Sequence, residues 1–545
     1  MSKELINAIV MLSRPLQVRS PGVILRLFLV AAMLFLHAMP ELEASVLRRG
    51  TNDELPTFDP QYVVGNSAGA IMYDLFEGLV TRAPDGALEP AIAESWTISE
   101  DGTVYTFRLK RNARWSDGTE ITAGDFVYSF KRMLDPQSGT RGASALFPVL
   151  NATAISVGEK PVDSLGVKAV DPATLEITLE GPAPYFISLL ASYSNAPVPA
   201  HVIEVHGRKW TQSGTMVTSG AYTLGKVVTN TYYQLVRNPH YHSADTVSIE
   251  EVFYYPVPSP TTSLKRYLAG ELDVILNIPF NQYDNLRETR PGEFRIARGI
   301  GLGYLSINNT VPPFDDIRVR KALSLAIDRD VIVEKLLKTG DEPAWSVVPT
   351  AIWKGPAEPP AFSRMSPGER LAEARRLLSE AGFERSNPLR FTFMFSPVER
   401  DRRLAVAYRS MWKQAGVEAE LETVGMRALM KKAADREYQV MRLTYYAIFY
   451  DPVSFFALIR GDSFRNYSGY SNADIDRRLA IADTIRSNEE RTAYLREIEQ
   501  LVMDDFPVIP SHFQSRAFLV SKRVEGWTDS TAPKMARDLS IREGP

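Results

Sequence analysis

Apolar residues recur along this chain with two different periods. From Val104 to Lys110 they alternate, with Tyr105, Phe107 and Leu109 on one face and Thr106, Arg108 and Lys110 on the other. That pattern predicts a half-buried strand. Leu175, Ile177 and Leu179 repeat it and stop at the breaker Gly181-Pro182. Elsewhere the period is helical. Thr122 stands three residues before Asp125, a capping signature that opens a helix through Phe126, Phe130 and Met133. In Ser366-Pro367-Gly368-Glu369 a serine can cap, a proline suits the first helical position and a glutamate can reach back to the cap. Leu371, Ala374, Leu377, Leu378 and Ala381 then make one stripe, and Gly382 ends it. A second long helix is predicted from about Asp316 to Lys338, with Val319, Ala322, Leu323 and Ala326 on its apolar side and Gly340 following. Proline-rich stretches at residues 255–260 and 349–360 read as loops over the surface or between lobes. The sum is a mixed α/β chain with a cleft expected between lobes, whose threading periodicity does not set.

Length sharpens this. At 545 residues the chain exceeds the roughly 250–300 residues one core can serve, so at least two domains are expected. With 45% hydrophobic residues the composition is that of a globular protein. The formal net charge is -3, with 62 basic and 65 acidic residues interspersed, so there is no basic field for nucleic acid. The absence of cysteine excludes disulfides, thiolate metal sites, a cysteine nucleophile and a lipid-attachment cysteine. At the N-terminus, Lys3, Arg14, Arg19 and Arg26 precede the apolar run Leu27 to Leu36. About 18 apolar residues are needed to cross a bilayer, so a run this short predicts a cleaved export signal covering residues 1–44, with Ala44 as the cleavage site.

Catalytic motifs are sparse. Gly65-Asn66-Ser67-Ala68-Gly69 has the spacing of a hydrolase nucleophile elbow, but a proline-broken stretch precedes it and an amphipathic helix follows. A helix cap at Asn66 or Ser67 is the simpler account. Gly299-Ile300-Gly301-Leu302-Gly303 lacks dinucleotide-loop spacing, which leaves a turn or a close backbone approach. His240-Tyr241-His242 puts two imidazoles near one another without a third ligand, and a surface turn explains it as well. No catalytic residue, metal site or cofactor is expected. The dense aromatic run Tyr445, Tyr446, Phe449 and Tyr450 is either a buried strand or a strand with one face on a ligand.

Several segments together resemble a known family. They include Asp74-Leu-Phe-Glu-Gly-Leu79, Ala93-Glu-Ser-Trp96, Trp115-Ser-Asp-Gly-Thr119 with Asp125-Phe-Val-Tyr-Ser129, and Ser219-Gly-Ala-Tyr222. Asn308-Asn309, Pro313-Phe-Asp-Asp-Ile-Arg-Val-Arg320, Ala381-Gly-Phe383 and Asp451-Pro452 with Ser454-Phe455 continue the series in order. This is similar to the periplasmic oligopeptide-binding proteins, the family 5 extracellular solute-binding proteins. The resemblance implies a periplasmic-binding-protein-like α/β fold, with two hinged lobes built from three discontinuous domains. Domain I would use residues 45–66, 200–300 and 516–545, domain II residues 67–199 and domain III residues 301–515. It implies a monomeric periplasmic receptor that captures a small peptide or peptide-like ligand, or another solute such as a modified small molecule, sugar or metal chelate, and hands it to ABC permease subunits, with a ligand sensor or chaperone on the same fold as the alternative.

The same resemblance assigns ligand-binding positions. The family's aspartate for a peptide ammonium falls at Ile448, leaving Glu54, with Leu55 beside it, and Asp451 as substitutes. Ser306 stands for a glutamate, Asp401 for a histidine and Tyr304 for an aromatic residue, while Phe513 matches a cleft aromatic. Thr444, Tyr445 and Tyr446 match the ligand-pairing strand. Arg442 keeps the family's arginine, for a ligand carboxylate or for a salt bridge at the strand end.

Overall fold

The computed structural model describes residues 45–63, 66–140, 142–353, 358–447 and 449–542, apart from the side chains of Asn66 and Ser67. The expected export signal lies outside the described residues, as does Ile448.

The local signals hold where short-range chemistry decides. Strand Val104–Leu109 buries Tyr105, Phe107 and Leu109, and sits in a four-stranded antiparallel sheet beside Ala93–Ile98 and Thr174–Thr178. Helix Ala123–Leu134 starts where Thr122 donates its backbone N–H to Asp125 over 2.8 Å. Helix Pro367–Glu380 has the full reciprocal cap, Ser366 N–H to Glu369 at 2.7 Å and Glu369 N–H to Ser366 at 3.3 Å.

The expected long helix over 316–338 is instead two elements, Ile317–Leu325 and a wider-turned helix Val331–Leu337. The break has a physical cause. Arg329 is fully buried, and its guanidinium is satisfied by the carbonyls of Ser324, Ile327, Ala344 and Pro510 and by the Ser324 hydroxyl. A continuous helix would not turn Arg329 toward carbonyls that arrive from Ala344 and Pro510.

An eleven-stranded mixed sheet spans the described residues. Its centre is a pair of unusually long antiparallel strands, Phe294–Ile307 and Val508–Val520. Their two ends belong to different cores. Ala297, Phe518 and Val520 join a first core that also holds residues from Leu47 to Tyr254 and from Val524 to Leu539. Leu302, Tyr304, Ile307, Val508 and Phe513 join a second core confined to residues 302–513. The register of the pair shifts between Arg298 and Gly301, where the strands pass from one core to the other.

Candidate ligand-binding site

Strand Val440–Tyr446 pairs with the second-core end of the long strand, placing Arg442 opposite Leu305, Thr444 opposite Gly303 and Tyr446 opposite Gly301. Across the long strand, His512 faces Gly303 and Gln514 faces Gly301. Strand alternation therefore puts Arg442, Thr444, Tyr446, His512 and Gln514 on one face. The glycines make that face possible. A Cβ on Gly303 would lie 2.3 Å from His512 Cε1, and one on Gly301 2.8 Å from Tyr446 Cε1. The glycine spacing in 299–303 thus serves close approach of side chains, one of the two readings left open by the sequence.

Arg442 is the chemical centre of this face. It is 4% exposed. Its Nη1 is ion-paired with Asp401 Oδ1 at 3.0 Å and donates to the Thr444 hydroxyl, while Nε and Nη2 have no hydrogen-bond partner among the described residues. Burial lowers its pKa, and Asp401 opposes that shift. Asp401 also accepts from Ser396. Alongside, Arg400 pairs with the buried Asp341, which accepts the Ser515 N–H at 2.8 Å, and Arg400 Nε is also left without a partner. His512 is fully buried, with Nδ1 3.0 Å from the Ser511 hydroxyl and Nε2 unpaired. Burial, then the cations Arg400 and Arg442, hold its pKa well below the usual histidine value, so it is neutral. Four buried nitrogens, Nε and Nη2 of Arg442, Nε of Arg400 and Nε2 of His512, are without partners among the described residues.

The other sequence-predicted residues divide. Thr444 and Tyr446 are on this face, and Tyr446, 45% exposed, donates to Gln514. Phe513 closes the second core and borders a recess with Gly299, Glu342, Pro349 and Gln514. Tyr304 and Ser306 lie on the opposite face of their strand, inside the second core, and Ser306 shares a 2.7 Å hydrogen bond with Tyr438. Tyr445 is likewise turned inward, with its hydroxyl donated to Ser454 O at 2.6 Å. Asp451 is held by Arg491 through two bonds of 2.7 and 2.9 Å. Glu54 accepts the Asn230 N–H, and Leu55 donates its N–H to Tyr233 at 2.9 Å. Asp451 is thus already paired with a cation, whereas Glu54 accepts a single backbone N–H and has no ion pair among the described residues.

The segment after the strand crosses to the first core. Phe449 stacks on Tyr185 with ring centroids 4.9 Å apart, and Tyr450 lies under Arg82 with a 4.0 Å centroid distance. The Tyr450 N–H donates to Ser188 at 3.2 Å and its hydroxyl to Thr531 O. Asp341, Arg400 and Arg82 were not singled out by the sequence, and Tyr185 stood out there only within the family-like segment Pro184-Tyr185-Phe186. Only the adjacency of Arg400 to Asp401 hinted at one of the first three.

The remaining motifs find structural uses. Residues 66–75 form a helix with no strand immediately before it, and the side chain of Ser67 lies outside the described residues. His242 bonds Glu77 at 2.5 Å, Tyr241 bonds the same carboxylate at 2.7 Å, and His240 packs near Gly118 instead of beside His242. Among the described residues no group of three or more His, Cys, Asp or Glu is arranged to hold a metal, and no helix is long and apolar enough to cross a membrane.

A family model for bacterial extracellular solute-binding proteins, family 5, matches residues 87–467. The chain is 36% identical over 490 residues to the periplasmic oligopeptide-binding protein OppA of Salmonella typhimurium, covering 89% of this chain and 90% of the relative. It is 35% identical over 492 residues to the probable deoxycholate-binding periplasmic protein YgiS of Escherichia coli, covering 90% and 91%. Among solved structures, the unliganded open form of the periplasmic murein tripeptide-binding protein MppA superposes with a TM-score of 0.82 at 33% identity, over 92% of this chain and 98% of that one.

Proposed function

The chain belongs to the bacterial extracellular solute-binding proteins of family 5, and from that premise we propose that it is the periplasmic receptor of an ABC importer for a peptide or peptide-like solute. Residues 1–44 direct export, and the mature protein is released without a lipid anchor. It binds without catalysis, acting as a monomer that delivers its ligand to permease subunits of the inner membrane. The three-domain threading given above is supported by a first core drawn from domains I and II, a second from domain III, and a smaller third made of domain I residues alone, Leu264 to Phe294 with Ala517 and Leu519. The lobes hinge where the two long strands pass between cores, near Arg298 to Gly301 and Gln514 to Arg516.

The observation that carries the ligand class is Arg442. It is buried beside the cleft face with two N–H-bearing nitrogens unpaired, which suits a ligand carboxylate held through parallel hydrogen bonds. An acidic solute that is not a peptide is the second reading, favoured by the similarity to a relative named for deoxycholate. Native mass spectrometry of protein purified from a periplasm, together with thermal shift against tri- to pentapeptides, tests both. A co-purified peptide or a raised melting temperature supports the first reading. A co-purified non-peptide acid with no peptide response supports the second, and neither signal overturns the receptor assignment.

A further inference from the structure

Arg82 ends the short strand Val80–Arg82 on the first-core side of the junction and is 7% exposed. Its guanidinium donates to Gly86 O at 2.9 Å and to the Ser188 hydroxyl, and its Cζ lies over the Tyr450 ring, 4.0 Å from the centroid. Of its five N–H bonds, these two are the ones with acceptors among the described residues. No carboxylate among the described residues lies within ion-pair distance of it.

Most other buried arginines are treated differently, although Arg49, which donates to the Tyr254 hydroxyl and to Lys534 O and packs over Tyr254, likewise lacks an ion pair among the described residues. Arg442, Arg491 and Arg537 each face a carboxylate, Asp401, Asp451 and Glu77 respectively. Arg329 has no ion-pair partner, yet five oxygen atoms surround its donors, as a purely structural arginine requires. Arg82 has neither the counter-charge nor the full set of acceptors. Tyr73 and Tyr450 beside it supply no negative charge, because burial above all pushes both phenols above the usual range. Asp451 and Asp483, the acids of the adjoining Tyr185 cluster, face Arg491 and Arg460.

We propose that Arg82 is a ligand-binding residue that receives an anionic, carboxylate-class group of the solute at the junction between the two cores. The ligand supplies the counter-charge that the protein withholds. Tyr450, clasped between Arg82, Ser188 and Thr531, holds the guanidinium in place against its ring.

This rests on the peptide reading, and the test separates the two. Trialanine is prepared with an N-succinyl group and, as an isostere differing only in charge, with an N-succinamoyl group. Titration calorimetry on the mature protein should show the succinyl form binding at least tenfold tighter. Arg82→Gln should abolish the gap and Arg82→Lys should keep most of it, with thermal unfolding of each variant confirming a folded protein. Equal affinity for the two probes, or a gap that survives in Arg82→Gln, overturns the role of Arg82 and leaves the peptide reading intact. So does binding of free trialanine with no binding of either probe. If no free or capped peptide binds, the peptide reading itself falls.

Discussion

In a double-mutant cycle on Arg442 and Asp401, each single replacement should cost far more than the pair. The Nη1 to Oδ1 distance is 3.0 Å and the two side chains are 4% and 10% exposed. Charges about 4 Å apart attract by roughly 4 kcal/mol at an effective dielectric of about 20. Arg442→Met leaves Asp401 buried with Ser396 as its remaining partner, and Asp401→Asn leaves Arg442 with Thr444. Stranding one charge in this way costs about 3–5 kcal/mol, whereas removing both from a well-packed site is close to neutral. The expected coupling is therefore about 3 kcal/mol. Urea unfolding of the four proteins at pH 7, followed by circular dichroism, measures it. Single losses that sum to the double within about 0.5 kcal/mol would show that the two charges do not neutralise one another. The same variants bear on binding. Arg442→Met should weaken a carboxylate ligand, and Asp401→Asn, which frees the field of the arginine, should strengthen it.

Two further outcomes follow from the packing. Burial pushes the Glu77 carboxyl up, but Arg537 and His242 outweigh it and bring its pKa down to about 2. A lowered folded-state pKa stabilises above the unfolded value of about 4.5, so this contribution should fade as the pH falls from about 4.5 toward 2, by about 3 kcal/mol. Chemical denaturation across that window should be steep for the native sequence and flatter for Glu77→Gln, and equal slopes would refute the assignment. Gly303→Ala should lower stability by more than about 2 kcal/mol, since the new methyl group meets His512 in a fully buried site. An unchanged melting temperature would mean that the glycine serves something other than close approach.

What could be read from the residues, and what could not, follows from the range of the forces involved. Strand Val104–Leu109 and helix Pro367–Glu380 were legible because alternation, a capping box and a glycine stop act within a few residues. The break after Leu325 was not, because the acceptors that draw Arg329 inward arrive from Ala344 and Pro510. The site shows the same division. Family likeness pointed to particular strands, but which of their residues share a face depends on register, and a shift of one residue exchanges the faces. Tyr304 and Ser306 fall on the buried side because Gly303 pairs with Thr444, so Tyr304 pairs with Leu443 and looks into the second core with it. Charge pairing is longer in range still. Arg442 meets Asp401 from 41 positions away, Arg400 meets Asp341 from 59, and Tyr450 meets Arg82 across the two cores. Sequence could name an arginine for the ligand. It could not show that this arginine already carries a counter-ion while Arg82, in an unremarkable strand end, carries none. That difference is a property of the folded chain, set by partners that arrive from distant positions.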